Sequence, residues 1–207
     1  MKVLIGTRNP DKLAEIVRIL GEIPGISWVT FRELPFPEVE EDGRTLEENA
    51  EKKACHLARL TGLGTLAEDS GLEVAALGGA PGVRSARFAG EERDWRANNE
   101  KLLTLMRGER DRRARFRAVA VLALPDGRMW LREGVLQGTI ASEARGRGGF
   151  GYDPVFVPEG EARTLAELSP EEKDRISHRR RALEGLRPVL SALARGEPPP
   201  RWGSRIS

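Results

Sequence analysis

Hydrophobic and polar positions along this 207-residue chain switch repeatedly between a short-run pattern and a helical one. Lys2 to Gly6 is a brief β-branched and apolar run, which predicts a buried strand. From Pro10 to Leu20 the apolar residues Leu13, Ile16, Val17 and Leu20 recur at helical spacing, with Asn9 suited to the N-cap and Pro10 to the first helical position. Ile26 to Phe31 predicts a second strand, and the Pro- and Glu-rich stretch from Leu34 to Gly43 a loop. Thr45 to Arg59 predicts a second helix, with Thr45 and Glu48 at capping-box spacing and a stripe of Leu46, Ala50, Ala54, Leu57 and Ala58.

Thr65 to Ala67 and Leu72 to Ala75 read as two strands flanking an acidic turn. A loop at Gly78 to Gly82 precedes a helix from Trp95 to Met106. Phe116 to Leu124 is a strong strand, turned by Pro125-Asp126-Gly127 into a hairpin partner at Arg128 to Glu133. Further strands are predicted at Val135 to Ala141 and Val155 to Val157, and a capped helix begins at Ser169-Pro170. Helices and strands mix throughout, so the class is α/β with an antiparallel region in the second half. Residues 1–195 read as one domain, and residues 196–207 as a Pro-rich tail, extended or mobile.

Composition narrows the class further. Apolar residues make up 39% and charged residues 32%, the balance of a globular chain. No apolar run reaches the roughly 20 residues of a membrane span, and the N-terminus shows no signal-peptide pattern. A lone Cys55 excludes an internal disulfide, so the expectation is a soluble cytoplasmic protein. The net charge of +2 is too small to argue nucleic-acid binding. With two His and one Cys, a zinc site is not supported.

Five polar clusters could carry chemistry. In Glu68-Asp69-Ser70-Gly71 two carboxylates run into a Ser-Gly turn, the donor type a hard divalent cation prefers. Asp69 is the catalytic candidate, as metal ligand, general base or both, while Glu68 is a second ligand or part of an ion-pair network. Thr7-Arg8-Asn9-Pro10-Asp11-Lys12 leads a strand into a capped helix and offers an anion its N–H groups and a lysine; alternatively Asn9 only caps and Lys12 is solvated. Along Glu41 to Lys53, Asn49, Lys53 and His56 share a helical face. There Lys53 could meet a phosphate and Glu41 a metal, whereas Glu48 reads as a cap paired with Lys52 and His56 as structural. Gly148 to Pro154 is a glycine-rich loop whose Phe150 and Tyr152 could stack a flat base, or simply plug a hairpin connection. Lys173 with Ser177-His178-Arg179 could donate to a purine edge, or form a helix break with solvated basic residues. Arg107 to Arg117 reads as a solvated, ion-paired face, and Trp28, Trp95 and Trp130 as anchors.

Taken in order, these clusters resemble the inosine triphosphate pyrophosphatase family, also called Ham1-like. The match includes Thr-x-Asn-x-x-Lys at residues 7–12, Glu-x-Gly-x-Thr-x-x-Glu-Asn-Ala at 41–50 and Asp-Ser-Gly-Leu at 69–72. It continues with Pro-Gly-Val-Arg-Ser-Ala-Arg at 81–87, Gly-Gly-Phe-Gly-Tyr-Asp-Pro at 148–154, and Glu-Lys at 172–173 before Ser-His-Arg at 177–179.

The resemblance implies a two-lobed α/β fold with a long central mixed sheet, an active site in the cleft between lobes, and a homodimer. It implies Mg²⁺-dependent hydrolysis of ITP, dITP and XTP to the monophosphate and pyrophosphate. Asp69 and Lys53 would be catalytic, and Glu41 and Asp69 would hold the metal. Thr7, Asn9 and Lys12, with Lys53, would hold the triphosphate, Arg8, Pro10, Asp11, Asn49 and Ser70 would also meet the substrate, and Phe150, Gly151, Tyr152, Asp153, Lys173, His178 and Arg179 would form the base pocket. Residue 68 is Glu where many relatives carry Asp. The rival readings are a Maf-like nucleotide pyrophosphatase, opposed by the Phe-Gly-Tyr-Asp and Ser-His-Arg motifs, and a non-catalytic nucleotide- or RNA-binding protein.

Overall fold

A computed structural model describes residues 1–200 and the short strand Ser204–Ile206. The first elements follow the sequence closely. Strand β1 (Lys2–Ile5) leads into helix α1 (Pro10–Leu20), then β2 (Ser27–Val29), helix α2 (Leu46–Thr61) and β3 (Gly64–Val74). Helix α3 (Trp95–Leu105), β4 (Arg113–Ala123), β5 (Arg128–Ile140), β6 (Phe156–Pro158), α4 (Pro170–Ile176) and α5 (His178–Ala194) follow, with the Ser204–Ile206 strand as β7. The sheet runs in the order β2-β1-β3-β4-β5-β6, with β7 also paired to β5. β1 is parallel to both β2 and β3, with Val3 opposite Trp28 and Gly64, as two helical crossovers require. β6 and β7 run antiparallel to β5. The architecture is mixed α/β.

Three readings of the sequence need correction. The acidic turn does not exist: residues 68–71 lie inside the continuous strand β3. That strand is buried on both faces, so it lacks the polar-apolar alternation that would have revealed it. Gly71 fits there because a Cβ would come within 2.3 Å of the Gly82 carbonyl oxygen, and Ser85 Oγ accepts the Leu72 N–H at 2.8 Å. Likewise Arg128 to Ile140 is one strand, not two. The buried face of α1 is rotated from the expected stripe: Glu15, Ile16, Ile19 and Leu20 are buried, while Val17 is 43% exposed. Residues 178–194, for which no element was predicted, form a long helix that carries Gly185 and Pro188 within it. Of the Pro-rich tail, residues 201–203 and 207 lie outside the described residues, and Ser204–Ile206 forms the strand paired with β5.

The chain divides into two compact units. The first comprises Met1–Asp69, Ala118–Gly134 and the segment from Arg179; the second comprises Ser70–Arg117 and Val135–His178. Each has its own core. In the first, Val3, Ile5, Ile16, Leu66, Leu122 and Leu183 pack together, and truncating one such leucine to alanine costs about 2–5 kcal/mol. In the second, Leu72, Leu102, Phe116, Leu136, Tyr152 and Phe156 form the corresponding cluster. Among the described residues no helix is long and apolar enough to cross a membrane.

Candidate active site

The first unit gathers an unusual density of charge. Asn9 caps α1, its Oδ1 accepting the N–H groups of Asp11 (2.9 Å) and Lys12 (3.1 Å), while its own carbonyl accepts that of Leu13. The first-turn N–H groups expected to face an anion are therefore taken by the cap itself. What this end of α1 offers is side chains and the positive helix dipole. Lys12 reaches from it to Glu68 Oε1 at 2.9 Å. Arg8 lies over the Phe31 ring at 5.0 Å.

Helix α2 supplies the second wall. Buried Asn49 uses both ends of its amide: Oδ1 accepts the Gly43 N–H at 2.8 Å, and Nδ2 donates to Asp69 Oδ2 at 3.0 Å. A Cβ on Gly43 would fall 2.6 Å from that Oδ1, so the approach of the 41–43 loop needs glycine. Asn49 thus positions Asp69 and the loop carrying Glu41 from inside the protein. One turn later Lys53 Nζ donates to Glu41 Oε1 at 2.5 Å and to the Glu68 carbonyl at 2.8 Å. Glu48 does not pair with Lys52. It accepts the Arg44 N–H, and Lys52 pairs with Asp42. His56 is exposed, in keeping with a residue outside the site.

Arg179 is 2% exposed and is met by carboxylates at all three nitrogens. Its Nε and NH2 donate to Glu68 at 3.2 Å each, and its NH1 to Glu15. The helix does break at Ser177, between α4 and α5, but His178 and Arg179 beside the break are buried and not solvated, and the guanidinium meets carboxylates where the sequence reading had it meet a purine edge. Burial acts to raise the Glu68 pKa, but Arg179 and Lys12 overcome it and hold the carboxyl well below the usual range. For Lys12, burial acts downward and the charges of Glu68 and Asp69 outweigh it, so its pKa rises. Asp69 goes the other way from Glu68: burial lifts its pKa against the pull of Lys53 and Lys12, and the Glu41 charge adds to the rise. Neighbouring carboxylates pushed apart in acidity are a mark of acid–base chemistry.

The fit to a metal rests on this donor set. Glu41 and Asp69 are hard oxygen ligands close enough for one charge to raise the other's pKa, a repulsion that a dication would relieve. Among the described residues no trio of Asp, Glu, His or Cys is arranged to cage a metal. Two carboxylates completed by water and substrate phosphate are what Mg²⁺-type sites use.

The second unit holds a different assembly. Asp153 Oδ2 accepts the Phe150 N–H at 2.9 Å and the Lys173 ammonium at 2.5 Å, and that ammonium also sits 4.7 Å from the Phe150 ring centre. Tyr152 is 1% exposed, with its hydroxyl donating to the Ser85 carbonyl at 2.8 Å and its ring edge-on to Trp95. Its side chain is a core anchor and not a stacking platform, which corrects the sequence reading. Burial raises the pKa of that hydroxyl. His178 stacks on Phe116 with ring centres 4.7 Å apart and planes 9° apart.

The Ham1 family model matches residues 3–189. The chain belongs to the Ham1 family. A Desulforamulus reducens protein named dITP/XTP pyrophosphatase is 49% identical over 196 residues, 93% of this chain and 97% of its own. The structure of the Staphylococcus aureus Ham1 protein superposes with a TM-score of 0.84 at 40% identity, covering 93% of this chain and 100% of that one. A HAM1 protein from Coxiella burnetii gives the same TM-score at 42% identity, covering 92% and 98%.

In this Ham1 family member the structure brings Lys12, Glu41, Asn49, Lys53, Glu68, Asp69 and Arg179 into one connected network, and Phe150, Asp153 and Lys173 into another. Sequence reasoning gave no individual role to Glu15, Ser85, Asn98 and Asn99, all buried polar residues. Glu15 carries a signal in hindsight, since a glutamate beside Ile16 on an apolar face requires a buried partner. In the arginine run, Arg115 and Arg117 pair with Glu73 as an ion-paired face should. Arg112 departs from it, donating to the carbonyls of Met106, Ile140 and Ala141.

Proposed function

We propose that this Ham1 family chain hydrolyses the deaminated purine nucleotides ITP, dITP and XTP to the monophosphate and pyrophosphate, with Mg²⁺ as cofactor. The observation that carries the reading is Asp69, a buried carboxylate of raised pKa held by Asn49 beside two lysines and a second carboxylate. A relative about half identical in sequence bears the name dITP/XTP pyrophosphatase, which supports the substrate class.

Glu41 and Asp69 would hold the cation, which offsets phosphate charge when bound. Lys12 and Lys53 add positive charge at the triphosphate, with Thr7, Asn9 and Ser70 as its polar partners. Asp69 takes the proton as a water oxygen bonds to Pα, and the bond from Pα to the bridging oxygen breaks, that oxygen leaving with pyrophosphate. In the second unit, the Phe150 ring, the Lys173 ammonium and His178 receive the base. Hypoxanthine and xanthine carry a 6-oxo acceptor where adenine carries an amino donor, and fixed donors penalise the latter. A homodimer and a cytoplasmic setting, where Cys55 stays reduced, complete the proposal.

The test incubates the pure protein with Mg²⁺ and separately with ITP, XTP, dITP, GTP, ATP and dTTP. Monophosphate plus pyrophosphate from the first three, little from the others, and loss of turnover with chelator are expected. Orthophosphate and diphosphate products would overturn the bond assignment, and the absence of turnover would favour a nucleotide-binding protein.

A further inference from the structure

The Phe150–Asp153 segment is gripped by helix α3 through a residue that the proposed function leaves unused. Asn99, only 9% exposed, donates from Nδ2 to the Gly151 carbonyl and to the Trp95 carbonyl, both at 2.9 Å. The bond to Gly151 spans 52 positions of sequence. Trp95, one helical turn before Asn99, lies edge-on to Tyr152 with ring centres 5.7 Å apart. Gly151 itself has φ +67°, a conformation that favours glycine.

The amide's orientation is unambiguous, because flipping it would set its oxygen against two carbonyl oxygens. In the orientation observed, Asn99 Oδ1 is buried and accepts no hydrogen bond. Burying an unmet acceptor is unfavourable, and a leucine of similar size would avoid it. The residue is therefore best understood through what it donates. A trans peptide holds its C=O and N–H on opposite sides. Fixing the Gly151 carbonyl toward α3 consequently aims the Tyr152 N–H away from it, and sets the plane of the Gly151–Tyr152 peptide.

We infer that Asn99 is a positioning residue for base recognition: through the Gly151 carbonyl it holds the Phe150–Tyr152 backbone in the orientation that receives the purine. The inference rests on the proposed function, and its test separates the two. Wild type, Asn99→Ala, Asn99→Ser and Leu102→Val would be compared for kcat and KM with ITP, for inhibition by inorganic tripolyphosphate, and for Tm. Leu102 is buried in the core on the same helix and serves as the control for general loosening. Loss of the Asn99 bond should raise KM for ITP about tenfold while kcat stays within about twofold and tripolyphosphate inhibition is unchanged.

Asn99→Ser retains one donor and should show a smaller rise, which keeps the inference testable if the alanine variant does not fold. A KM rise in Asn99→Ala no greater than that of Leu102→Val at comparable Tm would overturn the inference alone. So would tripolyphosphate inhibition weakening in step with KM. An inert wild type would overturn the functional reading and the inference with it.

Discussion

The two units hold their buried polar groups with opposite materials. The first concentrates four carboxylates, Glu15, Glu41, Glu68 and Asp69, with three cations, Lys12, Lys53 and Arg179. The second sets the buried pair of Lys173 with Asp153 beside rings and backbone anchored by Asn98, Asn99, Ser85 and Tyr152. In the first unit pKa values are pushed apart: burial raises Asp69 against the pull of its lysines, while neighbouring charge outweighs burial to raise Lys12 and lower Glu68. Polar groups in the second mainly fix shape. Chemistry on phosphate requires developing charge to be met by charge, whereas telling one purine from another requires donors and acceptors held in place. An asparagine ties separated segments together in each unit: Asn49 joins Gly43 to Asp69, and Asn99 joins helix α3 to Gly151.

This division can be broken by experiment. Asp69→Asn should lower kcat by about 10³-fold, roughly 4 kcal/mol, equally for every substrate and with little change in Tm. Pyrophosphate release measures it, and a loss that differed between ITP and ATP would show that the first unit also reads the base. Arg179→Met leaves Glu15 and Glu68 buried without their guanidinium and should cost about 3–5 kcal/mol in urea denaturation, with Arg179→Lys a poor substitute.

The same network gives a pH dependence of definite sign. The Glu68 pKa is lowered on folding from an ordinary value of 4.5, so its contribution is present above that pH and fades as pH falls toward the lowered value. Glu68→Gln should flatten the acid limb of a Tm-against-pH curve. An unaltered limb would place the acid sensitivity elsewhere.

Smaller effects sharpen the contrast. Lys173→Met should raise KM for ITP by about tenfold with kcat nearly kept, narrowing the ITP-over-ATP ratio, because it removes a cation beside Phe150. A fall confined to kcat would move Lys173 into the phosphate chemistry. Lys52→Ala should do least, within about 0.5 kcal/mol and without effect on turnover, since its pair with Asp42 is exposed on both sides. Chemical denaturation and steady-state rates together check it.

Much of the fold was legible because its signals are local. Asn9-Pro10 starts α1 and Thr45 caps α2, each within four residues of the bond it makes. The alanine and leucine stripe of α2 is buried as its spacing predicts. The candidate site residues stood out for a different reason, since the chemistry of phosphate and metal restricts which side chains can serve and the motifs present such side chains in order. Less legible was the rotation of α1, where Val17 lies outside and Glu15 inside. Nothing near residue 15 announces that its partner is Arg179, 164 positions away. The interrupted reading of β3 failed similarly, because a charged residue inside a sheet looks like a turn until its counterion is known, and that of β5 failed because Gly134 looks like a break inside a strand.

The amino-acid sequence by itself determined the helix starts, the α/β class and the set of groups available for catalysis, because caps, periodicities and side-chain chemistry act over a few residues. Tertiary structure alone decided which of those groups are paired and which are aimed. It joined Glu68 to Arg179 across 111 positions and Tyr152 to Ser85 across 67. It also turned Asn99 from one more polar residue on a helix into a support for the Gly151 backbone. The physical reason is desolvation: once buried, a charge or an amide must find a partner, and only the folded chain brings that partner within reach.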